Sequence, residues 1–497
     1  MRFFILISSA TILSFFLISC GGGDPVGPGT SEPPTCFSPI VQNEWANTWG
    51  GSGADVGYGV AIDSFDNVYV AGHFSQTVDF DPGPGNDSRT SKGETDIFLS
   101  KFDSSGELLW ARTWGGGGKD FGYAVAVDSE DNVYVAGTFS QTVDFNPGPQ
   151  DNNKTSNGKT DIFLSKFDSS GGYLWTLTWG GKGDDCCWDI MVDSRDNIWV
   201  TGFFNDTVDF DPGPGVVNFT SNGSSDAFLS GFDSSGAFIL ARTWGGTGVD
   251  VGYGISIDKN DSIYVTGSFA RTVNFNPGPG VASQSSNGFY DAFLVKYDTS
   301  GDFKWTRAWG GKDLDESRGI AVDSSSNIYV IGVFDDVVDF DPGPGVDLHT
   351  ASRCYGNYLC SYDSSGEFRW ARTWGGSSGD QDRSVMVDRS DNIYITGAFY
   401  GSFDFNPGDE VDIQTSNKNY DVFLSRYDSS GGYKWTCTFG GIGWEFGRDL
   451  AADSSGNVYI TGLFEETVDF DLSDGVDFRT VKGNSDIFLI KFPYVAD

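Results

Sequence analysis

The sequence predicts an all-β protein, on the basis of a long repeat, the strand pattern inside it and the two chain ends. A Trp-Gly-Gly tryptophan recurs every 65 residues, and an aspartate that ends a short apolar run keeps the same period. A fixed period of this length is typical of repeat architectures. The tryptophan series is Trp49, Trp114, Trp179, Trp244, Trp309 and Trp374, with Phe439 in seventh place, and the aspartate series is Asp63, Asp128, Asp193, Asp258, Asp323, Asp388 and Asp453.

Each unit carries four segments with the composition of β-strands, which we name A to D in chain order. In the second unit, segments A and B are residues 123–128 and 132–139, joined by a tight Ser-Glu-Asp turn. Segments C and D are residues 161–168 and 173–179, joined around a Ser-Ser-Gly turn whose glycine can adopt positive φ. Segments B and C are apolar on both faces, so each sheet must pack between two others. Seven such four-stranded antiparallel units predict a seven-bladed β-propeller.

The chain ends predict how the ring closes. The seventh unit stops after its C segment, residues 487–492, and Pro493 stands where the other six units carry a turn aspartate. The missing D segment lies at the other end of the chain, where residues 44–49 match residues 109–114. We therefore expect the N-terminal strand to become the outer strand of the last blade.

The first 42 residues have the features of an exported and anchored protein. Residues 1–19 contain Arg2 and an apolar run too short for a membrane span, and they lead to a Leu-Ile-Ser-Cys sequence ending at Cys20. This sequence resembles the lipobox of bacterial lipoproteins, which implies a lipidated Cys20; an ordinary signal with an incidental cysteine is the alternative. Residues 20–42 are rich in Gly and Pro and are expected to form a tether, with the propeller over residues 43–497. Two or three acyl chains anchor a protein stably, so we expect an extracytoplasmic protein attached to a bacterial membrane.

Charge and metal-binding residues exclude several classes of function. The net charge of −38 argues against nucleic acid as a partner and makes cations the natural counterpart. The only histidines, His73 and His349, fall at different repeat positions, which argues against a histidine metal site or a histidine-based triad. Six cysteines besides Cys20 lie outside the repeat pattern and leave fifteen pairings open, with Cys354 and Cys360 close enough to pair: Cys36, Cys186, Cys187, Cys354, Cys360 and Cys437.

The patterned acids should converge on one face of the ring. In a propeller the D–A and B–C connections emerge on the same face, and in this chain they hold the long loops. The D–A loops carry Asp55, Asp120, Asp185, Asp250, Asp315, Asp380 and Glu445. The B–C loops carry paired acids or amides before Pro-Gly: Asp79/Asp81, Asp144/Asn146, Asp209/Asp211, Asn274/Asn276, Asp339/Asp341, Asp404/Asn406 and Asp469/Asp471.

Two interpretations of the B–C acids compete. Oxygen side chains two residues apart suit Ca²⁺, which makes Asp79, Asp81, Asp209, Asp211, Asp339, Asp341, Asp469 and Asp471 the candidate ligands. Asp or Asn before Pro-Gly is also a common turn device, in which the side chain bonds its own backbone. The alternation of Asn with Asp fits the turn interpretation, which we favour. Calcium is the one candidate cofactor.

The beginning of segment A varies from unit to unit. It holds Tyr58, Tyr123, Trp188 and Tyr253 in the first four units, then Arg318, Arg383 and Arg448. Together with Asp55, Asp120, Asp185 and Asp250, these residues would form a polar, ligand-binding mouth around the axis. The favoured alternative is that they pair with the loop acids and seal the ring. Twelve of the fifteen tryptophans lie in D segments, where we expect them to pack between blades.

Residues 49–72, WGGSGADVGYGVAIDSFDNVYVAG, resemble the bacterial seven-bladed beta-propeller (SBBP) repeat. The shared features are a GG-x-x-x-D segment, an A-V-D hairpin and a G-N-x-Y-V-x-G strand, and the resemblance extends over residues 43–497. It implies an exported or surface protein and assigns no activity.

Two functional hypotheses follow. The first is a non-enzymatic, extracytoplasmic binding or scaffold module, a monomeric ring that presents its acidic loop-bearing face to a glycan, protein or cation-bridged ligand. The alternative is a carbohydrate-active hydrolase or lyase that uses carboxylates on that face. The first predicts nearly equivalent blades, whereas the second requires a blade with a unique acid pair. No catalytic residue is assigned from the sequence, and propellers host unrelated functions.

Overall fold

The computed structural model describes residues 42–351, 355–375, 381–408, 410–473 and 475–495, and for residues 381–383 it describes the backbone alone. All regular elements in these residues are β-strands. They form seven blades, each a four-stranded antiparallel sheet with the order A-B-C-D, which confirms the predicted seven-bladed propeller.

The four strand positions recur in every blade, from blade 1 to blade 7. The A strands are Val56–Ile62, Phe121–Val127, Cys186–Val192, Val251–Ile257, Glu316–Val322, Gln381–Val387 and Phe446–Ala452. The B strands are Val68–Phe74, Val133–Phe139, Ile198–Phe204, Ile263–Phe269, Ile328–Phe334, Ile393–Asp404 and Val458–Phe464. The C strands are Asp96–Phe102, Asp161–Phe167, Asp226–Phe232, Asp291–Tyr297, Gly356–Tyr362, Ile413–Tyr427 and Asp486–Phe492. The D strands are Leu108–Gly116, Tyr173–Trp179, Phe238–Trp244, Phe303–Trp309, Phe368–Trp374, Tyr433–Phe439 and, for blade 7, Trp45–Trp49.

The strand bounds of blade 2 show how closely the sequence predicts the elements. Strands B and C, Val133–Phe139 and Asp161–Phe167, are buried along their whole length, as expected for a sheet between two others. The turn between C and D contains Gly171 with φ of 78°, the conformation for which glycine is expected at this turn.

The N-terminal strand closes the ring. Trp45–Trp49 pairs antiparallel with Asp486–Phe492, with Ala46 opposite Ile490. The Trp49 side chain is buried, and its ring centroid lies 5.0 Å from that of Phe102 in blade 1. The predicted closure is confirmed, because the first strand of the chain completes the last blade and contacts the first.

The hydrophobic core lies between the blades. At the interface of blades 1 and 2, Trp114 packs against Phe167 with 5.0 Å between ring centroids, within one cluster of buried residues from both blades. The Trp-Gly-Gly tryptophans are buried in the same way around the ring, which confirms their predicted packing role. Trp110, the other repeated tryptophan position, is half-buried and lies under the Arg112 guanidinium at 5.0 Å.

The B–C connections contain short two-stranded hairpins that the four-strand interpretation did not include. Strands of three residues are too short to show a periodic pattern in the sequence. The pairs are Thr77–Asp79 with Ser88–Thr90, Thr142–Asp144 with Asn153–Thr155, Thr207–Asp209 with Asn218–Thr220, Thr272–Asn274 with Ser283–Ser285, Val337–Asp339 with Leu348–Thr350, and Thr467–Asp469 with Phe478–Thr480. In blade 6 the hairpin is continuous with long B and C strands. A bridge between Thr95 and Lys119 joins a B–C connection to a D–A loop, so both lie on one face.

The opposite face consists of the tight A–B and C–D turns. In blade 1, Asp63 Oδ1 accepts backbone hydrogen bonds from Phe65 and Asn67, each at 2.9 Å, and its Oδ2 forms a buried ion pair with Lys101 at 2.9 Å. Burial opposes ionisation at this site, but the hydrogen bonds from Asn67 and Lys101 hold the pKa of Asp63 below its ordinary value.

Candidate functional site

The seven A strands surround a central channel. The channel holds a cavity of about 800 Å³ that opens among the A strands and is lined by residues of all seven blades. This volume is within the range of about 300–1,000 Å³ typical of small-molecule sites. The channel is therefore large enough to hold a small ligand.

A β-bulge occurs at one repeat position in every blade. The register between strands A and B shifts at the same place in all seven sheets, and the extra residue of each bulge is Tyr58, Tyr123, Trp188, Tyr253, Arg318, Arg383 or Arg448. Bulges re-aim a side chain relative to the regular alternation of the strand. The described members of this set line the channel cavity. The structure thus brings the predicted mouth residues together as one ring, which we call the bulge ring.

Four members of the bulge ring form a continuous aromatic arc. The ring centroids of Tyr58 and Tyr123 are 5.1 Å apart, those of Tyr123 and Trp188 are 4.7 Å apart, and those of Trp188 and Tyr253 are 6.0 Å apart. Aromatic pairs at these separations stabilise each other's orientation. The arc presents a wall of aromatic surface over blades 1 to 4.

Arginines continue the bulge ring on the other side. The Arg448 guanidinium lies 5.5 Å from the centroid of Tyr58 and 5.0 Å from that of Phe446. Arg318 forms an ion pair with Glu316, two residues earlier in its own strand, at 2.9 Å. Glu316 is part of strand A, so this ion pair is not the predicted pairing of an arginine with a D–A loop acid. The side chain of Arg383 lies outside the described part of the structure.

Two aspartates in the channel were not predicted. Asp189 and Asp449 follow the bulge residues of blades 3 and 7, and both line the cavity. Asp189 accepts the N–H of Ile255 in blade 4 at 2.9 Å, and Asp449 accepts the N–H of Val60 in blade 1 at 2.9 Å. Each carboxyl group therefore bridges its blade to the next one in the ring.

Burial perturbs both carboxyl groups. It raises the pKa of Asp189 to about 7, against the hydrogen bonds from Ile255 and Ile190 and with help from the charge of Asp449. It raises the pKa of Asp449 to about 6, against the hydrogen bonds from Val60 and Ser384. Perturbed carboxyl groups in a cleft are typical of functional sites. A comparison of units would have revealed them, because the same position holds Gly59, Ala124, Gly254, Gly319 and Ser384 in the other blades.

The D–A loop acids hold the loops together. Asp55 is fully buried, and its two oxygens accept the N–H groups of Gly51 at 2.7 Å and Ser75 at 2.9 Å. Burial raises the pKa of Asp55 to about 7, against these two hydrogen bonds and with help from Asp486. The same arrangement holds for Asp120, Asp185, Asp250 and Asp315, while Asp380 lies outside the described residues. Ligand contact by Asp55, Asp120, Asp185 and Asp250 stays a prediction, since their observed partners are backbone groups.

The B–C acids make the bonds of the turn interpretation. Asp79 Oδ1 accepts the N–H groups of Asp87 at 2.8 Å and Asp81 at 3.2 Å, and Asp81 Oδ1 accepts that of Gly83 at 2.7 Å. Corresponding bonds occur at Asp209, Asp211, Asp339, Asp341, Asp469 and Asp471. No group of three or more His, Cys, Asp or Glu side chains suited to a metal occurs in the residues that the structure describes. Calcium ligation by these acids stays a prediction.

The predictions about cysteines and anchoring fall partly outside the described residues. Cys20, Cys36 and Cys354 are not among them. Cys360 is a free, buried thiol, as are Cys186 and Cys187, and Cys437 is buried. Within the described ranges, no helix is long and apolar enough to cross a membrane.

Comparison with known proteins gives a repeat family and two sequence relatives. The SBBP family, described as a beta-propeller repeat, matches residues 48–73, 109–138 and 306–333. An uncharacterised WD repeat-containing protein of Acanthamoeba polyphaga mimivirus is 24% identical over 85% of this chain and 36% of its own length. The regulatory protein FlaEY of Caulobacter vibrioides is 32% identical over 29% of this chain and 15% of its own. The chain thus spans about a third or less of the length of these relatives.

Solved structures give similarities that are too low to indicate an activity. A gluconolactonase from Xanthomonas campestris is 11% identical with a TM-score of 0.34, over 95% of this chain and 99% of that one. An ulvan lyase is 11% identical with a TM-score of 0.40, over 88% of this chain and 97% of that one. The matched repeats and the seven observed blades agree with each other. The chain is therefore a seven-bladed β-propeller in which three stretches match the SBBP beta-propeller repeat.

Proposed function

We propose that the protein is a non-enzymatic binding module that takes its ligand in the mouth of the central channel. The observation that carries this proposal is the bulge ring, in which one backbone feature recurs in seven blades and its six described side chains line one channel. A residue needed only for the fold is expected to be the same in every unit, as the A–B turn aspartates are. The bulge residues are instead aromatic in blades 1 to 4 and arginine in blades 5 to 7.

The chemistry of the mouth favours a glycan among the ligands considered. Aromatic faces stack on the apolar faces of sugar rings, and guanidinium groups recognise carboxylates and hydroxyl groups by directed hydrogen bonds. The aromatic arc of Tyr58, Tyr123, Trp188 and Tyr253 lies beside Arg318 and Arg448, so both kinds of surface face one cavity. A protein or cation-bridged ligand on the loop-bearing face is the less specific form of the same proposal.

Glycan-array screening of the purified protein, with and without Ca²⁺, tests the binding proposal. Trp188→Ala removes the largest side chain of the aromatic arc, and we expect it to abolish or strongly weaken any binding that the parent shows. Leu174→Ala on the exposed outer strand of blade 2 is the matched control, because it lies away from the channel. Equal binding by the parent and Trp188→Ala would show that the ligand does not bind in the channel.

We also propose that the propeller is extracytoplasmic and anchored to a membrane through a lipidated Cys20. The support is the signal-like sequence of residues 1–19 and the Gly/Pro-rich residues 20–42. Cys20→Ser should release the protein into the soluble fraction, because only the acyl chains would hold it at the membrane. If the variant still sediments with membranes and resists a high-salt wash, the anchor lies elsewhere.

A carbohydrate-active hydrolase or lyase is the second candidate, and Asp189 with Asp449 is the observation that favours it. Raised pKa values near neutrality suit general acid–base catalysis, and no other blade has an acid at this repeat position. The two acids belong to blades 3 and 7, however, whereas the enzyme hypothesis required a unique pair within one blade. Release of reducing ends or unsaturated products from a polysaccharide panel would support this candidate if Asp189→Asn and Asp449→Asn each abolish it. If the protein binds a polysaccharide but releases no product in long incubations, the enzyme candidate is rejected and the binding module is retained.

A further inference from the structure

We propose that the channel wall where blade 7 meets blade 1 is a carboxylate-binding site for an acidic sugar, with Arg448 as its anchor. The inference rests on the proposed function, because it names the ligand class of the same channel. Its elements are the Arg448 guanidinium, the imidazole of His73 and the rings of Tyr58 and Phe446.

Arg448 is a cation without an ionic partner in the described part of the chain. Its guanidinium contacts the rings of Tyr58 and Phe446, and its buried Nε makes no hydrogen bond. Arg318 differs, since Glu316 compensates its charge at 2.9 Å. Burial lowers the pKa of Arg448, and the charge of Arg318 contributes to the lowering. A bound carboxylate would supply the missing negative charge and accept the remaining N–H groups.

His73 adds a second polar group beside Tyr58. Its side chain is 7% exposed, lines the cavity, and has an Nδ1 atom with no hydrogen-bond partner among the described residues. Its ring lies 5.5 Å from that of Tyr58 and 4.7 Å from that of Phe121. Burial lowers the pKa of His73 to about 3, with help from the charge of Arg448, so the imidazole is neutral at pH 7. A neutral imidazole can donate one hydrogen bond to the carboxylate that Arg448 holds.

The rest of the channel indicates that the carboxylate belongs to a sugar. The aromatic arc begins at Tyr58 and offers stacking surface for a ring attached to the carboxylate. Asp189 and Asp449 directly follow the bulge residues of their strands and line the same cavity. Each of their oxygens has one observed hydrogen bond and two lone pairs, so it can accept a sugar hydroxyl as well. A carboxylate ligand without hydroxyl groups would donate no hydrogen bond to these oxygens.

Calorimetry with matched sugars tests the inference. The probes are D-glucose and D-glucuronate, D-galactose and D-galacturonate, and the disaccharides that carry each at the non-reducing end. We expect the uronates to bind about tenfold to a hundredfold more tightly than the matched hexoses, the range for a hydrogen bond to a charged group. Arg448→Gln should abolish that preference, and Arg448→Lys should reduce it, because lysine keeps the charge and loses the planar fork.

The matched control is Arg112→Gln. Arg112 also lies over an aromatic ring, that of Trp110, but it is on the outer strand of blade 1. Its removal should leave the uronate preference unchanged, and melting curves of all variants establish that they fold.

The outcomes separate this inference from the proposed function. Equal affinities for hexose and uronate, with Trp188→Ala still weakening both, would overturn the carboxylate site and leave the binding module. A preference for sulfated over carboxylated sugars would also overturn it. Binding of no probe by the folded parent would count against both.

Discussion

Replacement of Trp49 by alanine tests whether the N-terminal strand closes the ring. Trp49 is 1% exposed, and its ring lies 5.0 Å from that of Phe102 and 6.5 Å from that of Phe98 in blade 1. Its strand is held to blade 7 by pairing with Asp486–Phe492. The tryptophan therefore joins the last blade to the first, and the substitution removes that contact while it keeps the strand.

We expect Trp49→Ala to lower the free energy of unfolding by about 3–5 kcal/mol, the range for buried tryptophan replaced by alanine. With an unfolding entropy of about 2 cal/mol/K per residue over roughly 450 residues, this corresponds to a fall in Tm of about 3–5 °C if the ring unfolds as one unit. Thermal melting and denaturant titration measure both quantities.

Trp114→Ala is the matched control for this experiment. Trp114 occupies the same repeat position, is also 1% exposed, and packs on Phe167 at 5.0 Å, but its strand is continuous with the chain on both sides. Both variants should lose similar stability. Only Trp49→Ala should speed hydrogen exchange in Asp486–Phe492, because a loosened N-terminal strand exposes that edge. Melting at the parent's temperature, or unchanged exchange in that strand, would refute the closure argument.

Three further predictions concern protons, cations and the last blade. Between pH 5 and 8 we expect Tm to fall as pH rises, because burial raises the folded-state pKa of Asp55 from 3.8 to about 7. The stability that Asp55 contributes is complete below its ordinary pKa of 3.8 and is lost as pH rises through about 7. Below pH 4 the sign reverses, because the pKa of Asp63 is lowered and its contribution is lost as pH falls; a pH series of melting curves measures both limbs. Millimolar Ca²⁺ should raise Tm above its value in sodium chloride of matched ionic strength only if Asp79 and Asp81 bind the ion. In that case the double alanine variant should lose the rise. Equal Tm values in chelator, Ca²⁺ and sodium chloride would exclude calcium ligation. Deletion of residues 43–49 should produce an aggregating or strongly destabilised protein by light scattering and melting, and a clean monomer with the parent's Tm would contradict it.

The fold could be predicted because its determinants are local and recur seven times. Strands such as Val133–Phe139 need only a short apolar run and a turn, and the 65-residue period fixes how many blades there are. The short hairpins, such as Thr77–Asp79 with Ser88–Thr90, could not be predicted because a strand of three residues is too short to carry a periodic signal. In the structure Asp79 holds the loop between these two strands, because its carboxylate accepts a hydrogen bond from the N–H of Asp87, eight residues later.

The candidate site could be predicted in part. The bulge ring was identified because its residue type changes between units at a constant position, from Tyr58 to Arg448. Asp189 and Asp449 were not identified, because an insertion of one residue at the bulge changes which side chains face the channel. Simple alternation along the strand therefore gives no reliable orientation at this point.

The sequence by itself determined the seven blades, their four strands and the strand that closes the ring, because hydrophobic periodicity and repeat length are properties of the chain in one dimension. Only the tertiary structure decided which polar groups meet in the channel. The contact of Arg448 with Tyr58 and the hydrogen bond from Val60 to Asp449 join residues nearly four hundred positions apart. Such contacts exist only because the ring closes, which brings the last blade against the first.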